Sequence, residues 1–157
     1  MNRDSAQARA VMLRGTVLTV LALIGVGAVM VMALRFTPVE VNQGLAQKIF
    51  YVHVPSAFVT LWVAVPLTAL ASMVYLWLRD VRLDRFAAAS AEVSTVFCAV
   101  VLTTGPIWAK PIWGTWWTWD GRLTLTLFLF FLLLGYHTLR ASLRDPAERG
   151  RFSAVLS

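Results

Sequence analysis

Four stretches of this chain each run for 17 residues or more with at most one charged side chain. No other feature restricts the fold so severely. Gly15–Leu34 has no charge over 20 residues, and Val54–Leu78 has none over 25. Ala87–Ala109 carries only Glu92, near its start, and Leu123–Leu139 is uncharged over 17 residues. At about 1.5 Å of rise per residue, roughly 20 helical residues cross the hydrocarbon core of a bilayer. Lipid offers unpaired peptide groups no water, so such runs take the form that satisfies its own backbone, the helix. The expected fold class is an all-α integral membrane protein with four transmembrane helices, at about 15–34, 54–78, 88–109 and 123–139. No repeat or flexible linker divides residues 1–157, which read as a single membrane domain.

The chain is 59% hydrophobic and only 14% charged, against about 25% charged for soluble domains. Its net charge of +6 would suit nucleic acid if the charges formed a patch, but they mark topology instead. Ten of the 14 Lys and Arg residues lie in the amino-terminal segment, the 79–86 turn and the tail after Leu139. Arg35, Lys48, Lys110 and Arg122 hold the remainder. Short basic segments stay in the cytoplasm, so both termini are expected there and loops 35–53 and 110–122 on the opposite side. The first apolar run is longer than a signal-peptide core. It ends at Arg35-Phe36-Thr37-Pro38 rather than at a small-residue cleavage site, so a retained first helix is expected. The single cysteine, Cys98, lies within an apolar run and reads as a small buried residue.

Val41, Leu45, Ile49 and Val52 recur at helical spacing and predict a short amphipathic helix on the membrane surface. Proline is well placed as the first residue of a helix, so the second helix is expected to start at Pro55, with His53 just outside it. Pro66 predicts a kink, and Gly105-Pro106 a break before the segment that follows. Trp62 reads as packing, Trp77 as an interface residue, and Glu92 as a first-turn residue of the third helix.

Residues 108–122 read WAKPIWGTWWTWDGR and hold five of the seven tryptophans: Trp108, Trp113, Trp116, Trp117 and Trp119. Any one tryptophan at a membrane edge is explained by its apolar ring and polar N–H. Five within twelve residues exceed what anchoring needs. They make a broad, rigid, apolar surface suited to a flat conjugated ligand. Lys110 and Arg122 flank it and can pair with ligand carboxylates. Haem has that shape, two propionates, and an iron that takes an axial imidazole; a quinone would need no cationic flank. His53 is the one histidine on the outer side, either a hydrogen-bonded interface residue or the axial ligand. Asp120 caps the fourth helix and can also orient Arg122. His137 lies beside Arg140 at the inner end of that helix, about a membrane thickness from His53. No phosphate loop, paired histidines at helical spacing, or serine or cysteine with a placed base is present, so no enzymatic activity is expected.

The run Trp113-Gly114-Thr115-Trp116-Trp117-Thr118-Trp119-Asp120-Gly121-Arg122-Leu123-Thr124 resembles the WWD signature of the haem-handling proteins of cytochrome c maturation. From Lys110-Pro111 to Thr124 it is most similar to the CcmC (haem exporter protein C) family, more than to the larger CcmF and CcsA relatives. Ile49-Phe50-Tyr51-Val52-His53-Val54-Pro55 is similar to that family's histidine-containing first outer loop. The resemblance implies a bacterial inner-membrane protein that holds haem b non-covalently at the periplasmic face. It further implies presentation to the haem chaperone CcmE and partnership with CcmD and the ABC transporter CcmAB. His53 matches the first histidine ligand, and Trp113, Trp116, Trp117, Trp119 and Asp120 match the platform. The family has six membrane helices, with a second histidine between the fifth and sixth. The expectation is thus a carboxy-terminally truncated member without that ligand, for which His137 is no counterpart. Two other readings stand beside it. One is a membrane subunit that contacts an ABC-type exporter through its tryptophans without handling a ligand; the other is an inactive truncated product.

Overall fold

The computed structural model describes residues 3–157; Met1 and Asn2, and with them the start of the basic amino-terminal segment, lie outside the described residues. It is all-α, with no strand among the described residues. Four helical stretches are long and apolar enough to cross a membrane: Ala6–Arg35, Leu45–Leu78, Val81–Trp113 and Gly121–Ser142. The chain divides into two compact units, Met1–Glu40 and Val41–Ser157.

The first unit is built on one helix, α1 (Arg3–Arg35). It begins well before the uncharged run because Ala, Gln, Arg, Met and Leu are all good helix formers. The Thr16 and Thr19 hydroxyls donate to the carbonyls of Met12 and Gly15, at 3.0 and 2.9 Å. Those polar groups are thereby satisfied within the helix, as an apolar solvent demands.

The second unit opens with a 3-10 turn, Leu45–Ile49, entered through Gly44 at φ 59°. The turn runs directly into α2 (Phe50–Phe58), a π-helical turn (Val59–Ala64) and α3 (Val65–Leu78). Three sequence expectations change here. No separate surface helix forms, because the positive φ at Gly44 breaks the spacing between Val41 and Leu45, both of which remain exposed. Pro55 lies inside α2 rather than at its start, so His53 is helical. A membrane helix tolerates an interior proline, here at the loss of the one backbone bond that Pro55 would otherwise make to the Tyr51 carbonyl. The irregularity at Pro66 is the π turn itself. It leaves Pro66 in the first turn of α3, where a missing N–H matters least.

Arg79, in the left-handed region at φ 58°, ends α3. Asp80 then caps α4 (Val81–Trp113), accepting from the Arg82 N–H at 2.8 Å. At 33 residues, α4 exceeds what a bilayer core requires. Glu92 therefore lies well inside the helix, not in its first turn. The helix also passes through Gly105-Pro106 without breaking and stops at Gly114, whose φ of 74° supplies the left-handed cap. Then follow α5 (Gly121–Ser142) and α6 (Pro146–Leu156), the latter capped by Asp145 and opened by proline.

Every other helical element of this unit touches α4. Ala87, Ser90, Ala91, Ser94 and Cys98 make its buried stripe, and Ser56, Thr60, Ala64, Thr68, Ala71 and Ser72 form the facing stripe of the α2–α3 rod. Small residues at four-residue spacing let backbones approach closely, the main source of helix adhesion in lipid. A strict four-residue repeat outruns a 3.6-residue turn by about 40° each time, and the wider π turn slows that drift. Large side chains face outward, including Trp62, which is 73% exposed and does not join the core.

At the end of the unit away from the tryptophan loop, Asp84 of α4 accepts two bonds from Arg140 of α5, at 2.6 and 3.0 Å. The pair is nearly sealed, with side-chain exposures of 8% and 14%. The Arg140 guanidinium also lies 5.6 Å over the Tyr136 ring. Removing one partner of a buried pair leaves an uncompensated charge, worth about 3 kcal/mol or more. Asp84→Ala is accordingly expected to lower the thermal midpoint in detergent sharply, and Asp84→Ala with Arg140→Leu to recover most of the loss.

Candidate functional site

Where α2, α4 and α5 converge beside the tryptophan loop, they enclose a cavity of about 300 Å³, at the lower end of the range for small-molecule sites. His53 and Ala57 line it from α2, and Arg122, Leu123 and Thr126 from α5. α4 contributes Cys98, Gly105, Trp108 and Trp113, and the loop adds Trp116 and Trp117. Cys98 and Trp113 lie fifteen residues apart on α4, so the recess reaches about 22 Å along that helix. The sequence suggested a platform at the surface; the structure has a recess that descends between helices. Cys98 closes its depth, fully buried, with a weak bond of 3.8 Å from its thiol to the Thr126 carbonyl.

His53 is tightly held. Its Nδ1 lies 2.9 Å from the Thr104 Oγ1. The edge of its ring meets Trp108, with centroids 5.6 Å apart. Gly105 leaves room for it, since a Cβ there would lie 3.2 Å from Cε1. Trp108 is itself fixed, donating from Nε1 to the Gln43 Oε1 at 3.1 Å and meeting the Phe50 ring edge-on.

The loop is short. Because α4 continues to Trp113, Trp108 and Trp113 are helical and only Gly114–Asp120 is irregular. Two local bonds shape it: the Thr115 hydroxyl donates to the Trp117 carbonyl at 3.0 Å, and Lys110 Nζ donates to the Gly114 carbonyl at 2.8 Å. Trp117 and Trp119 meet edge to face at 5.8 Å. The Trp117 Nε1–H is buried without an acceptor.

Of the residues singled out from the sequence, His53, Trp108, Trp113, Trp116, Trp117 and Arg122 thus share one cavity. Trp119, 77% exposed, and Lys110 and Asp120 lie outside its lining. Asp120 accepts from the Leu123 N–H at 3.0 Å and from the Thr118 hydroxyl at 2.7 Å. His137 is remote from the cavity and bonds Thr95 through Nε2 at 2.9 Å. Sequence reasoning missed Thr104 and Gly105, whose relation to His53 only helix pairing reveals. It also missed Thr126, which lines the cavity from α5.

The Heme exporter protein C family model matches residues 4–157. The chain is 40% identical over 137 residues to the heme exporter protein C of Haemophilus influenzae, covering 87% of this chain and 54% of that protein. It is 38% identical over 123 residues to that of Rhodobacter capsulatus, covering 77% and 50%. With that of Escherichia coli K12 it shares 36% over 122 residues, covering 77% and 49%. The chain therefore spans about half the length of the curated relatives it matches.

The Asp120 cap carries a pH signature. The Leu123 N–H, and next the Thr118 hydroxyl, hold its carboxyl below the ordinary value of 3.8. A depressed carboxylate stabilises fully above its unfolded pKa and loses that contribution as pH falls through the folded one. Deuterium uptake at the Leu123 amide, taken relative to the intrinsic exchange rate at each pH, should stay low at neutral pH and rise only below about pH 4. In Asp120→Ala it should already be high at neutral pH.

Proposed function

The chain belongs to the heme exporter protein C family, and on that premise we propose that it binds haem b non-covalently in the cavity beside its tryptophan loop. The observation that carries this reading is the gathering of one imidazole, four indoles and a guanidinium around a single apolar recess. In it His53 would hold the haem iron through its imidazole. Trp108, Trp113, Trp116 and Trp117 provide flat apolar walls, and Arg122 at the rim pairs with a propionate. The residues present suit such a group in one further respect. The Trp117 Nε1–H, buried without an acceptor, suits a ligand with a polar edge better than a hydrocarbon. Lys110, Trp119 and Asp120 shape and border the loop: Lys110 ties it to Gly114, and Asp120 fixes the start of α5. Bound haem would supply the iron centre that accepts the imidazole.

The charge distribution supports an inner-membrane setting with both termini in the cytoplasm and the loop in the periplasm. There the site presents haem outward to a chaperone of the CcmE kind, in company with CcmD and the CcmAB transporter. The role is delivery of haem for c-type cytochrome assembly. An exposed Trp119 beside the cavity leaves an aromatic surface on which such a partner can dock.

Titration of the detergent-purified protein with haem tests the reading. The expected result is a Soret band that His53→Ala shifts and weakens at least tenfold, and that Trp116→Ala with Trp117→Ala also weakens. Absence of a Soret band from the wild-type protein would sink the proposal. Loss of co-purifying transporter subunits in the tryptophan variant, with haem content unchanged, would instead favour a contact role.

A further inference from the structure

A threonine hydroxyl has one proton to give. Thr104 gives its proton to the Val100 carbonyl, four residues back on α4, at 2.7 Å. At the 2.9 Å contact with His53 Nδ1 the same oxygen then accepts, the one arrangement in which both short contacts are hydrogen bonds at once. The proton in that bond belongs to the imidazole, so Nδ1 carries hydrogen and the neutral ring has its lone pair on Nε2. Among the described residues Nε2 has no hydrogen-bond partner. Nor is it one of the polar atoms sealed away unpaired, which belong to Ser72, Trp117, Arg149 and Ser153. The ring cannot turn over freely, because Trp108 meets it on one side and the α4 backbone at Gly105 on another.

We infer that Thr104 is a positioning residue for the haem site: it locks His53 as the Nδ1–H tautomer and so leaves an unprotonated Nε2 for iron. A free neutral histidine side chain favours the opposite tautomer, with hydrogen on Nε2, which cannot ligate until that proton moves. A hydrogen-bonded partner on the far nitrogen is the general means by which proteins orient a ligating imidazole. The inference rests on the proposed haem reading, and the molecule contains its own control. The Thr95 hydroxyl likewise gives its proton to the Ala91 carbonyl, at 2.8 Å, but it meets the chain's other histidine, His137, at Nε2. By the same logic His137 is the Nε2–H tautomer.

With two histidines in the chain, 15N-histidine labelling resolves both. Nitrogen spectra of the haem-free protein in detergent at neutral to mildly alkaline pH are expected to show opposite tautomers, assigned with His137→Gln. Thr104→Val should move His53 toward Nε2–H and leave His137 unchanged, which also certifies folding. Thr104→Ser should restore the wild-type pattern. In haem titrations Thr104→Val should weaken binding about 10–100-fold, and Thr104→Ser should recover it. An Nε2–H tautomer for His53 in the wild-type protein overturns the inference without touching haem binding. A tautomer change in Thr104→Val with haem affinity unaltered overturns the positioning role alone. A wild-type protein that binds no haem overturns the haem reading, and this role with it.

Discussion

Along the seam between α4 and the α2–α3 rod, the buried side chains are chiefly alanine, serine, threonine and cysteine. Lipid tails are as apolar as leucine, so a larger apolar side chain gains little by leaving the membrane for a helix interface. Adhesion comes from backbones brought close enough for dispersion contacts along their whole length. That requirement settles which residues lie inward, and it leaves leucine, phenylalanine and most tryptophans facing out. Most hydroxyls admitted to the seam are harmless because they donate to a carbonyl of their own helix, as at Thr60, Thr68 and Ser94; the Ser72 Oγ is buried without a partner. The position of α4 against the rod, and through it the place of His53, follows from this contact.

Much of the fold was legible because the membrane imposes coarse rules. Uncharged length located the four helices, and charge counting suggested their direction. The boundaries were less legible, since apolar runs mark the stretch suited to lipid while helices continue wherever propensity allows. α1 and α4 both extend into charged sequence for that reason. Prolines misled in a consistent way. Pro55, Pro106 and Pro111 all lie inside helices, because a chain in lipid gains more by continuing a helix past one lost bond than by opening several. The stop signal that does act, Gly114, was present in the sequence but overshadowed by its tryptophan neighbours. The helix α6, which starts at Asp145-Pro146, was not among the sequence expectations, although its cap and proline are ordinary start signals.

The site divides along the same line. Residue type and density pointed to the tryptophans, Arg122 and His53, whose chemistry is unusual enough to be noticed singly. Thr104 and Gly105 are common residues in a common place, and only the pairing of α2 with α4 sets them against the imidazole. The sequence also suggested a flat platform. It could not reveal that α5 touches α4 while the rod lies on another side of it, which turns the surface into a recess. Depth is a property of three helices, and no single segment carries it.

The two histidine contacts share one helix. Thr95 and Thr104 are nine residues apart on α4, or about two and a half turns, and so project from opposite sides of it. One grips a ring from α5 and the other a ring from α2. The helix is pinned across its diameter at two heights, like an axle held by two set screws. Rolling α4 about its own axis would strain both contacts at once, so the angular setting of the recess wall is held from outside the recess as well as from within it.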